Sequence, residues 1–325
     1  MIPGVLHLSS KVTMGATKNG SIKRKFTSCS GDKLIVSTRK KQTPYDVYVV
    51  LKDNQICDWI GTVGEKDIEE KFVRIRNNIK WKRIPNKLIK IESFNYKRVD
   101  LTKENIFSID PEGCLDIDDA CHIKRNKYGY EIGVHIADVS SFIRMDSDFD
   151  LKIRNRSTSV YFPDKTFHMI PEKISIEHCS LIKNKEKNAV TTLFQYDHDK
   201  NTLHCKGIFR SSIVNKNNYS YEEAQKMIDN SDKSDVTLLF NIIENLYKEK
   251  LNAHTLIEKL MVMTNCNAAL ELNKKYPKIS IFRTHQETVT ETINDINHDV
   301  MEKINIFNME KAVYSVGNTK TSHYG

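Results

Sequence analysis

The sequence predicts an α+β protein in which a small β-barrel precedes a larger domain of mixed strands and helices. Two observations predict it. Residues 1–90 contain short apolar runs that Gly, Pro, Asn and Asp interrupt, a pattern typical of short strands joined by turns. Residues 91–325 combine strand-like runs with segments whose apolar side chains recur at helical spacing. We therefore place a domain boundary near residue 90.

Four strand-like runs predict the barrel, at residues 5–8, 33–38, 46–51 and 58–63. They favour a barrel of the OB or cold-shock type, which binds single-stranded nucleic acid through a basic groove and stacking aromatic side chains. Basic clusters lie between the runs, at residues 23–25 and 39–41. Tyr45, Tyr48 and Trp59 are candidates for stacking, and burial in the core is the alternative for each.

The second region is predicted to contain a hairpin with strands 120–125 and 130–139, and helices at 221–229, 235–249 and 255–274. Turn residues at the hairpin tip set Arg125 opposite Tyr130, and the same register brings Asp138 opposite Ile117. We interpret Asp138 as a local cap or turn residue. The alternatives are that Asp138 supports the neighbouring acids, or that His135 approaches them.

Bulk properties restrict the class of protein. The 325 residues carry a formal net charge of +8, and a basic balance favours a polyanionic partner. The seven cysteines never fall in C-x-x-C spacing, which argues against a disulfide framework and structural zinc and favours a reducing compartment. The sequence shows no run of about 18 apolar residues and no signal-like N-terminus. We therefore expect a cytoplasmic protein without membrane association, with the nucleus or a viral factory as alternatives.

One acidic segment carries the clearest chemical signal. Its acids are Asp110, Glu112, Asp116, Asp118 and Asp119. Apolar residues at 107, 109, 115 and 117 are interleaved with these acids, so we expect the acids on one side of an extended segment whose other side is buried. Pro111 and Gly113 allow a reversal that folds Asp110 back toward the later aspartates.

The crowding of these carboxylates indicates a bound cation. Like charges this close raise each other's pKa, and the arrangement is costly unless a cation neutralises it. Oxygen ligands without His or Cys select magnesium, manganese or calcium. We favour magnesium acting on a phosphate, because such ions polarise the phosphate and activate water. The alternatives are a calcium loop, whose usual ligand spacing the segment lacks, and a polar loop without an ion.

The segment Asp110-Pro-Glu-Gly-Cys-Leu-Asp-Ile-Asp-Asp-Ala120 resembles the signature of the ribonuclease II/ribonuclease R (RNB) superfamily, in the form found in eukaryotic exosome nucleases or large DNA viruses. Further blocks agree in order, at residues 133–140, 156–163 with 169–172 and 179–181, 219–224 and 254–265. The resemblance implies an OB/cold-shock-like RNA-binding barrel at 1–90 and an RNB exoribonuclease catalytic domain at 91–325.

This resemblance implies magnesium-dependent, processive 3′→5′ hydrolysis of single-stranded RNA to nucleoside 5′-monophosphates, with manganese as a substitute ion. Asp110 and Asp119 are implied as metal ligands. Asp116 and Asp118 are implied to complete the catalytic acids, with Asp118 critical for chemistry. Protein partners beyond RNA are not indicated.

The resemblance also implies residues that contact RNA. Tyr161 is expected to stack on a base near the 3′ end, and Tyr221 and Glu258 to hold the terminal nucleotide. Arg283 is expected to lie near RNA, with His285 beside it. Without the resemblance, core packing for Tyr161 and solvent exposure for the others are the alternatives.

Two departures from the family pattern shape the functional hypotheses. The chain ends at Ser322-His-Tyr-Gly325, where the family continues into a segment whose arginine stabilises the phosphate. The passage from 248 to 254 is too short for the strands that carry the aromatic partner of Tyr161. We therefore expect a fragment or a short homologue in which the C-terminal part of the RNB domain is missing. The alternative functions are an RNA-binding protein with a degenerate site and, less favoured, a DNA nuclease.

Overall fold

The computed structural model describes residues 1–79, 84–85, 87, 89, 94, 96–284, 313–316 and 323–324. The chain divides into two compact units. The first unit comprises Met1–Leu88 and Asp148–Met169, and the second comprises Ile89–Ser147 and Ile170–Gly325. The break after Leu88 lies close to the predicted boundary near residue 90. The prediction differs at residues 148–169, which it assigns to the second domain.

Two ion pairs join Asp148–Met169 to the rest of the first unit. Lys66 Nζ lies 2.7 Å from a carboxylate oxygen of Asp164. Glu70, one turn further along the same helix, forms an ion pair with Lys165. The partners are far apart in the sequence, so no local pattern indicates that they meet.

The first unit is built on an antiparallel sheet of five strands in the order β3-β2-β1-β4-β5. The strands are β1 (Ile2–Leu6), β2 (Ile22–Ser28), β3 (Lys33–Thr38), β4 (Val47–Lys52) and β5 (Gln55–Thr62). Inward-facing side chains of alternate positions form one core cluster, which includes the fully buried Leu6, Phe26 and Val49. Helix α1 (Lys66–Arg76) packs with a second cluster that contains Val50 and Phe72.

The sheet of the first unit leaves the barrel prediction unconfirmed and shows where its three aromatic candidates lie. Among its strands, all of which lie in the described part of the chain, no ladder joins β3 to β5, so a closed OB barrel is not confirmed. Tyr48 is buried, stacks on Phe72 with ring centroids 3.6 Å apart, and donates a hydrogen bond to Glu69. Tyr48 is therefore a core residue. Tyr45 and Trp59 are exposed.

The rest of the first unit is a helix and a small hairpin. These are α2 (Asp148–Arg156), β10 (Val160–Phe162) and β11 (Lys165–Phe167). Arg156 is buried at the end of α2, and its guanidinium donates to the backbone carbonyls of His168 and Met169 at 2.9 and 2.8 Å. This pair of bonds fastens the far side of the hairpin to the helix.

The second unit is built on a sheet in the order β12-β9-β8-β7-β13-β6. The strands are β6 (Val99–Asp100), β7 (Ile106–Asp110), β8 (Asp119–Asn126), β9 (Gly129–Ala137), β12 (Glu186–Asp197) and β13 (Thr202–Ser220). Strand β13 is 19 residues long; its first part pairs antiparallel with β12, and its last part pairs parallel with β7. Because β13 pairs with both strands, the hydrogen-bond ladder closes on itself.

The predicted hairpin is confirmed by the pairing of β8 with β9. Arg125 lies opposite Tyr130, as the turn chemistry indicates, and Asn126 lies opposite Gly129 at the tip. The Asn126 side chain accepts a hydrogen bond from the backbone N–H of Tyr128 at 3.0 Å. This local bond fixes the register of the whole hairpin.

The three predicted helices are confirmed with adjusted ends. They are α4 (Tyr221–Asp229), α5 (Asp235–Tyr247) and α6 (Ala253–Lys275), and a short α3 (Glu172–Ile174) precedes a π turn at Ser175–Cys179. Helix α5 ends early because Lys248 adopts a left-handed conformation, with φ of 56°. The helices pack against one face of the sheet through fully buried residues that include Val134, Leu239 and Leu256.

Three further strands, β14 (Ile281–Thr284), β15 (Val313–Val316) and β16 (His323–Tyr324), form a sheet in the order β15-β14-β16. Arg283 lies on β14 and is exposed. The predicted neighbour His285 lies outside the described residues. Within the ranges that the structure describes, no helix has the length and apolar character needed to cross a membrane.

Candidate active site

Two adjacent strands bring the aspartates together. Asp110 ends β7 and Asp119 begins β8, and the antiparallel pairing of Phe107 with Cys121 sets these two ends at one edge of the sheet. The connection turns at Gly113, whose φ is 76°, a conformation that favours glycine. The predicted reversal between Asp110 and the later aspartates is therefore present.

The loop that carries Asp116 and Asp118 is fixed by Ser180. The Ser180 hydroxyl accepts a hydrogen bond from the Ile117 backbone N–H at 2.9 Å and donates one to the Leu115 carbonyl at 2.8 Å. The Ile117 side chain is buried, as the alternation predicts, but Leu115 is 62% exposed and corrects that pattern. Alternation indicates only that one side of the segment is buried; Ser180 determines which residues face inward.

Burial and then the neighbouring charges raise the pKa values of the carboxylates. Burial, followed by the charges of Asp110 and Asp118, raises the pKa of Asp119 to about 7. Burial, together with the Asp118 and Asp116 charges, also raises the pKa of Asp110. Asp118 is an exposed residue, but the surrounding protein partly desolvates its carboxylate. This desolvation raises the pKa of Asp118, and the Asp116 charge raises it further. The predicted electrostatic crowding is thus present.

The donor set fits a hard cation that keeps other ligands. Within the described part of the chain, Asp110 Oδ2 is buried and makes no hydrogen bond, so a strong acceptor is left for a cation. No group of three Asp, Glu, His or Cys side chains among the described residues is arranged to hold a metal by itself. Magnesium is usually held by one or two carboxylates, with waters and substrate phosphate completing the shell. Asp110 and Asp119 provide two such carboxylates.

An open cavity lies beside Asp110. Its volume is about 430 Å³, and it is lined by residues of the 111–114 turn and by Tyr219, Ser220 and Lys226. Cys114 also lines it, and burial together with the Asp110 charge raises the pKa of this thiol to about 11. The cavity gives a ligand access to the Asp110 edge of the sheet.

Helix α4 places Tyr221 next to the aspartates. Ser220, the last residue of β13, pairs with Asp110 across the parallel ladder and also caps α4. Tyr221 is the first residue of that helix. Its pKa is raised by burial and then by the Asp119 and Asp110 charges, so its phenol lies within electrostatic reach of both. The structure brings this predicted residue to the acidic site.

The Tyr221 ring is stacked on His254, the second residue of α6, with ring centroids 3.7 Å apart and an interplanar angle of 18°. Glu258 follows His254 by one helical turn and is exposed on the same helix face. His254 was assigned no role from the sequence. Its spacing of four from Glu258 is the signal that could have indicated it.

Two other predicted residues lie on different elements. Tyr161 is in β10 of the first unit and is 71% exposed, and Arg283 is on β14. The exposure of Tyr161 leaves a ring free for stacking, which rules out the core alternative. Its contact with a base and the contact of Arg283 with RNA stay predictions.

Asp138 and His135 have structural roles. The Asp138 carboxylate is buried and accepts hydrogen bonds from the Ser140 and Ser141 hydroxyls, which confirms the local turn interpretation. It also pairs with Arg98, a distant residue that the local interpretation did not include. His135 is fully buried and bonds to His122 and Thr191 at 2.8 Å each. Burial holds the pKa of His135 well below its usual value. The alternative in which His135 approaches the acids is therefore wrong.

Part of the second unit resembles a known domain family. Residues 98–248 match the model of the RNB domain. The chain is 27% identical over 276 residues to the exosome complex exonuclease RRP44 of Mus musculus, covering 70% of this chain and 28% of that protein. It is 40% identical over 133 residues to ribonuclease R of Aquifex aeolicus, covering 41% and 19% respectively. The chain thus spans less than a third of the length of these relatives.

Solved structures show the same fold. Mycoplasma genitalium RNase R in complex with ribose methylated single-stranded RNA superposes with a TM-score of 0.70 at 16% identity, covering 99% of this chain and 65% of that one. Yeast Ssd1, described as a pseudonuclease, superposes with a TM-score of 0.74 at 18% identity, covering 97% and 50%. The predicted resemblance to the RNB superfamily is confirmed by the domain match at residues 98–248 and by these relatives. The chain is similar in sequence to relatives named as exosome complex exonucleases.

Proposed function

We propose that the second unit is the catalytic core of a magnesium-dependent exoribonuclease that hydrolyses single-stranded RNA from the 3′ end and releases nucleoside 5′-monophosphates. One observation carries this proposal. The mutually destabilised carboxylates of Asp110, Asp118 and Asp119 lie at one end of β7 and β8, beside the Tyr221 ring. Relatives named as exosome exonucleases and ribonuclease R support it.

The residues divide the work of hydrolysis. Asp110 and Asp119 would hold magnesium, which when bound supplies Lewis-acid polarisation of the phosphate and a more acidic water. Asp118, the most exposed of the four aspartates, accepts the proton of the attacking water. Burial and then the Asp116 charge raise the pKa of Asp118, which favours that role. Tyr221 and Glu258 hold the terminal nucleotide, while Tyr161 and Arg283 contact the preceding RNA.

We assign the first unit to RNA binding, as an OB/cold-shock-like module. A groove of about 610 Å³ runs between β3 and β5 and is lined by Arg39, Lys40, Gln55 and Trp59. Lys40 Nζ lies 4.2 Å from the centre of the Trp59 ring. An exposed aromatic ring flanked by cations is typical of sites that bind single-stranded nucleic acid without sequence specificity. Tyr48 is part of the core and takes no part.

The basic balance of the chain supports this choice of partner. A net charge of +8 attracts polyanions such as RNA. The seven cysteines are all free, which supports a reducing compartment, and we propose the cytoplasm. The described residues offer no membrane-spanning helix.

The decisive test follows product release from a single-stranded RNA labelled at its 3′ end. We expect labelled 5′-monophosphate from the first turnover, with magnesium or manganese present. Asp118→Asn should lower turnover by at least about a hundredfold while RNA affinity stays within about twofold. Asp199→Asn, which removes an exposed carboxylate in the β12–β13 turn, is the matched control. Full activity of Asp118→Asn would refute the assigned role.

A second function is favoured by a specific observation. One structural neighbour, yeast Ssd1, is described as a pseudonuclease. The chain would then bind RNA without cutting it. Tight RNA binding that magnesium does not change, with no product after long incubation, would establish this alternative. Cleavage of a matched DNA oligomer but not of RNA would instead indicate a DNA nuclease.

A further inference from the structure

We propose that His254 is a positioning residue that holds Tyr221 against the carboxylate site. This inference rests on the proposed function, and it assigns a role to a side chain that the proposed reaction does not otherwise use. The argument combines the flat stack between the two rings with the way in which two helices are fixed at their first turns.

The Tyr221 end of the stack is fixed by the start of α4. Ser220 accepts a hydrogen bond from the Glu223 backbone N–H, and the Glu223 carboxylate accepts one from the Ser220 N–H, which is a complete capping box. Ser220 also pairs with Asp110 in the sheet. The backbone of Tyr221 is therefore fixed next to Asp110, but its ring is fixed only by what it contacts.

The His254 end is fixed by the start of α6. Asn252 and Thr255 form a second capping box. The Ala253 backbone N–H donates to the Gln225 side chain of α4 at 2.9 Å, which ties the first turn of α6 to α4. Residues on either side of His254 are thus held by side-chain hydrogen bonds. The imidazole presents one face to Tyr221 as a consequence.

The geometry of the pair separates positioning from simple core packing. The ring planes are within 18° of parallel at a centroid distance of 3.7 Å, so His254 blocks rotation of the Tyr221 ring away from the carboxylates. His254 is itself exposed, as is Glu258 one turn later. A residue that only fills the core would be buried. His254 is instead exposed and stacks on Tyr221, the residue next to the acidic site.

The first experiment tests whether the flat aromatic surface of His254, rather than its imidazole chemistry, positions Tyr221. His254→Ala removes the stacking surface, and His254→Phe keeps a flat ring. We expect His254→Ala to lower kcat by about tenfold or more with KM within about threefold, because small misplacements of a substrate-holding group are costly in rate. His254→Phe should recover most of that loss. Equal losses in both variants, or full activity of His254→Ala, would overturn the proposal.

A control and a second measurement make the test independent of folding and of turnover. Ser234→Ala removes the N-cap of α5, a helix that carries none of the residues assigned to the site, and should lower the melting temperature without changing kcat. In proton NMR, the His254 Hε1 resonance should shift downfield in Tyr221→Leu, because the stacked phenol shields it. An unchanged resonance would overturn the stack even in a protein without nuclease activity, whereas a shifted resonance with no turnover would reject only the proposed reaction.

Discussion

At the scale of single residues, Asp119 makes the stability of the protein depend on pH. In the unfolded chain the Asp119 carboxyl loses its proton near about pH 4. In the folded protein its pKa is raised to about 7 by burial and then by the charges of Asp110 and Asp118. Below about pH 4 both states are protonated. As the pH rises toward 7 the unfolded chain loses the proton first, so the folded state is progressively destabilised.

This cost predicts a pH-dependent difference between the protein and Asp119→Asn. In a chelator, the free energy of unfolding of the unmodified protein should fall by about 2 kcal/mol more than that of the variant between about pH 5 and pH 8, the effect being reduced by partial exposure. Urea unfolding followed by circular dichroism measures it. Magnesium at the higher pH should restore stability to the unmodified protein only. If the free energy of unfolding changed with pH in the same way for both proteins, ionisation of Asp119 would not destabilise the fold.

At the scale of elements, the acidic loop depends on a neighbour that the signature segment does not contain. Ser180 follows the π turn Ser175–Cys179, and its hydroxyl bonds to the backbone on both sides of Asp116. The buried Lys187 in turn donates to the Glu177 and His178 carbonyls of that turn. Two segments that are distant in sequence therefore determine where the carboxylates stand.

Ser180→Ala should reveal this dependence. Loss of the hydroxyl leaves the buried Ile117 N–H without its acceptor, which should lower the free energy of unfolding by about 2 kcal/mol. The carboxylates should also lose their fixed spacing, so turnover should fall by about tenfold. Chemical denaturation and single-turnover kinetics give the two numbers. The helix-cap variant Ser234→Ala should match the stability loss alone; if it reduced turnover equally, general destabilisation would be the cause.

At the scale of the whole molecule, local chemistry was predictable and long-range packing was not. The hairpin register follows from Asn126 and Gly129, and the reversal after Asp110 follows from a glycine turn, because both signals lie within a few residues. The stack of Tyr221 on His254 needs α4 and α6 to meet, and distant ion pairs join residues 148–169 to the rest of the first unit. Local sequence patterns do not indicate such contacts between residues that are distant in the sequence.

The last expectation concerns the groove of the first unit, lined by Arg39, Lys40 and Trp59, which is distinct in sequence from the carboxylates. Trp59→Ala should weaken affinity for single-stranded RNA by about tenfold, since one lost stacking contact is worth roughly 1–3 kcal/mol. Lys40→Gln should reduce the slope of log affinity against log salt concentration by about 1, because one fewer counterion is released.

Tyr48→Phe is the matched aromatic control for this groove. It keeps the buried ring stacked on Phe72 and removes only the hydrogen bond to Glu69, so RNA affinity should stay unchanged. Fluorescence anisotropy over a salt series, in a chelator that prevents hydrolysis, measures all three variants. If Trp59→Ala bound RNA as tightly as Tyr48→Phe, the first unit would not grip RNA through this groove, and binding would have to be assigned to the unit that holds the aspartates.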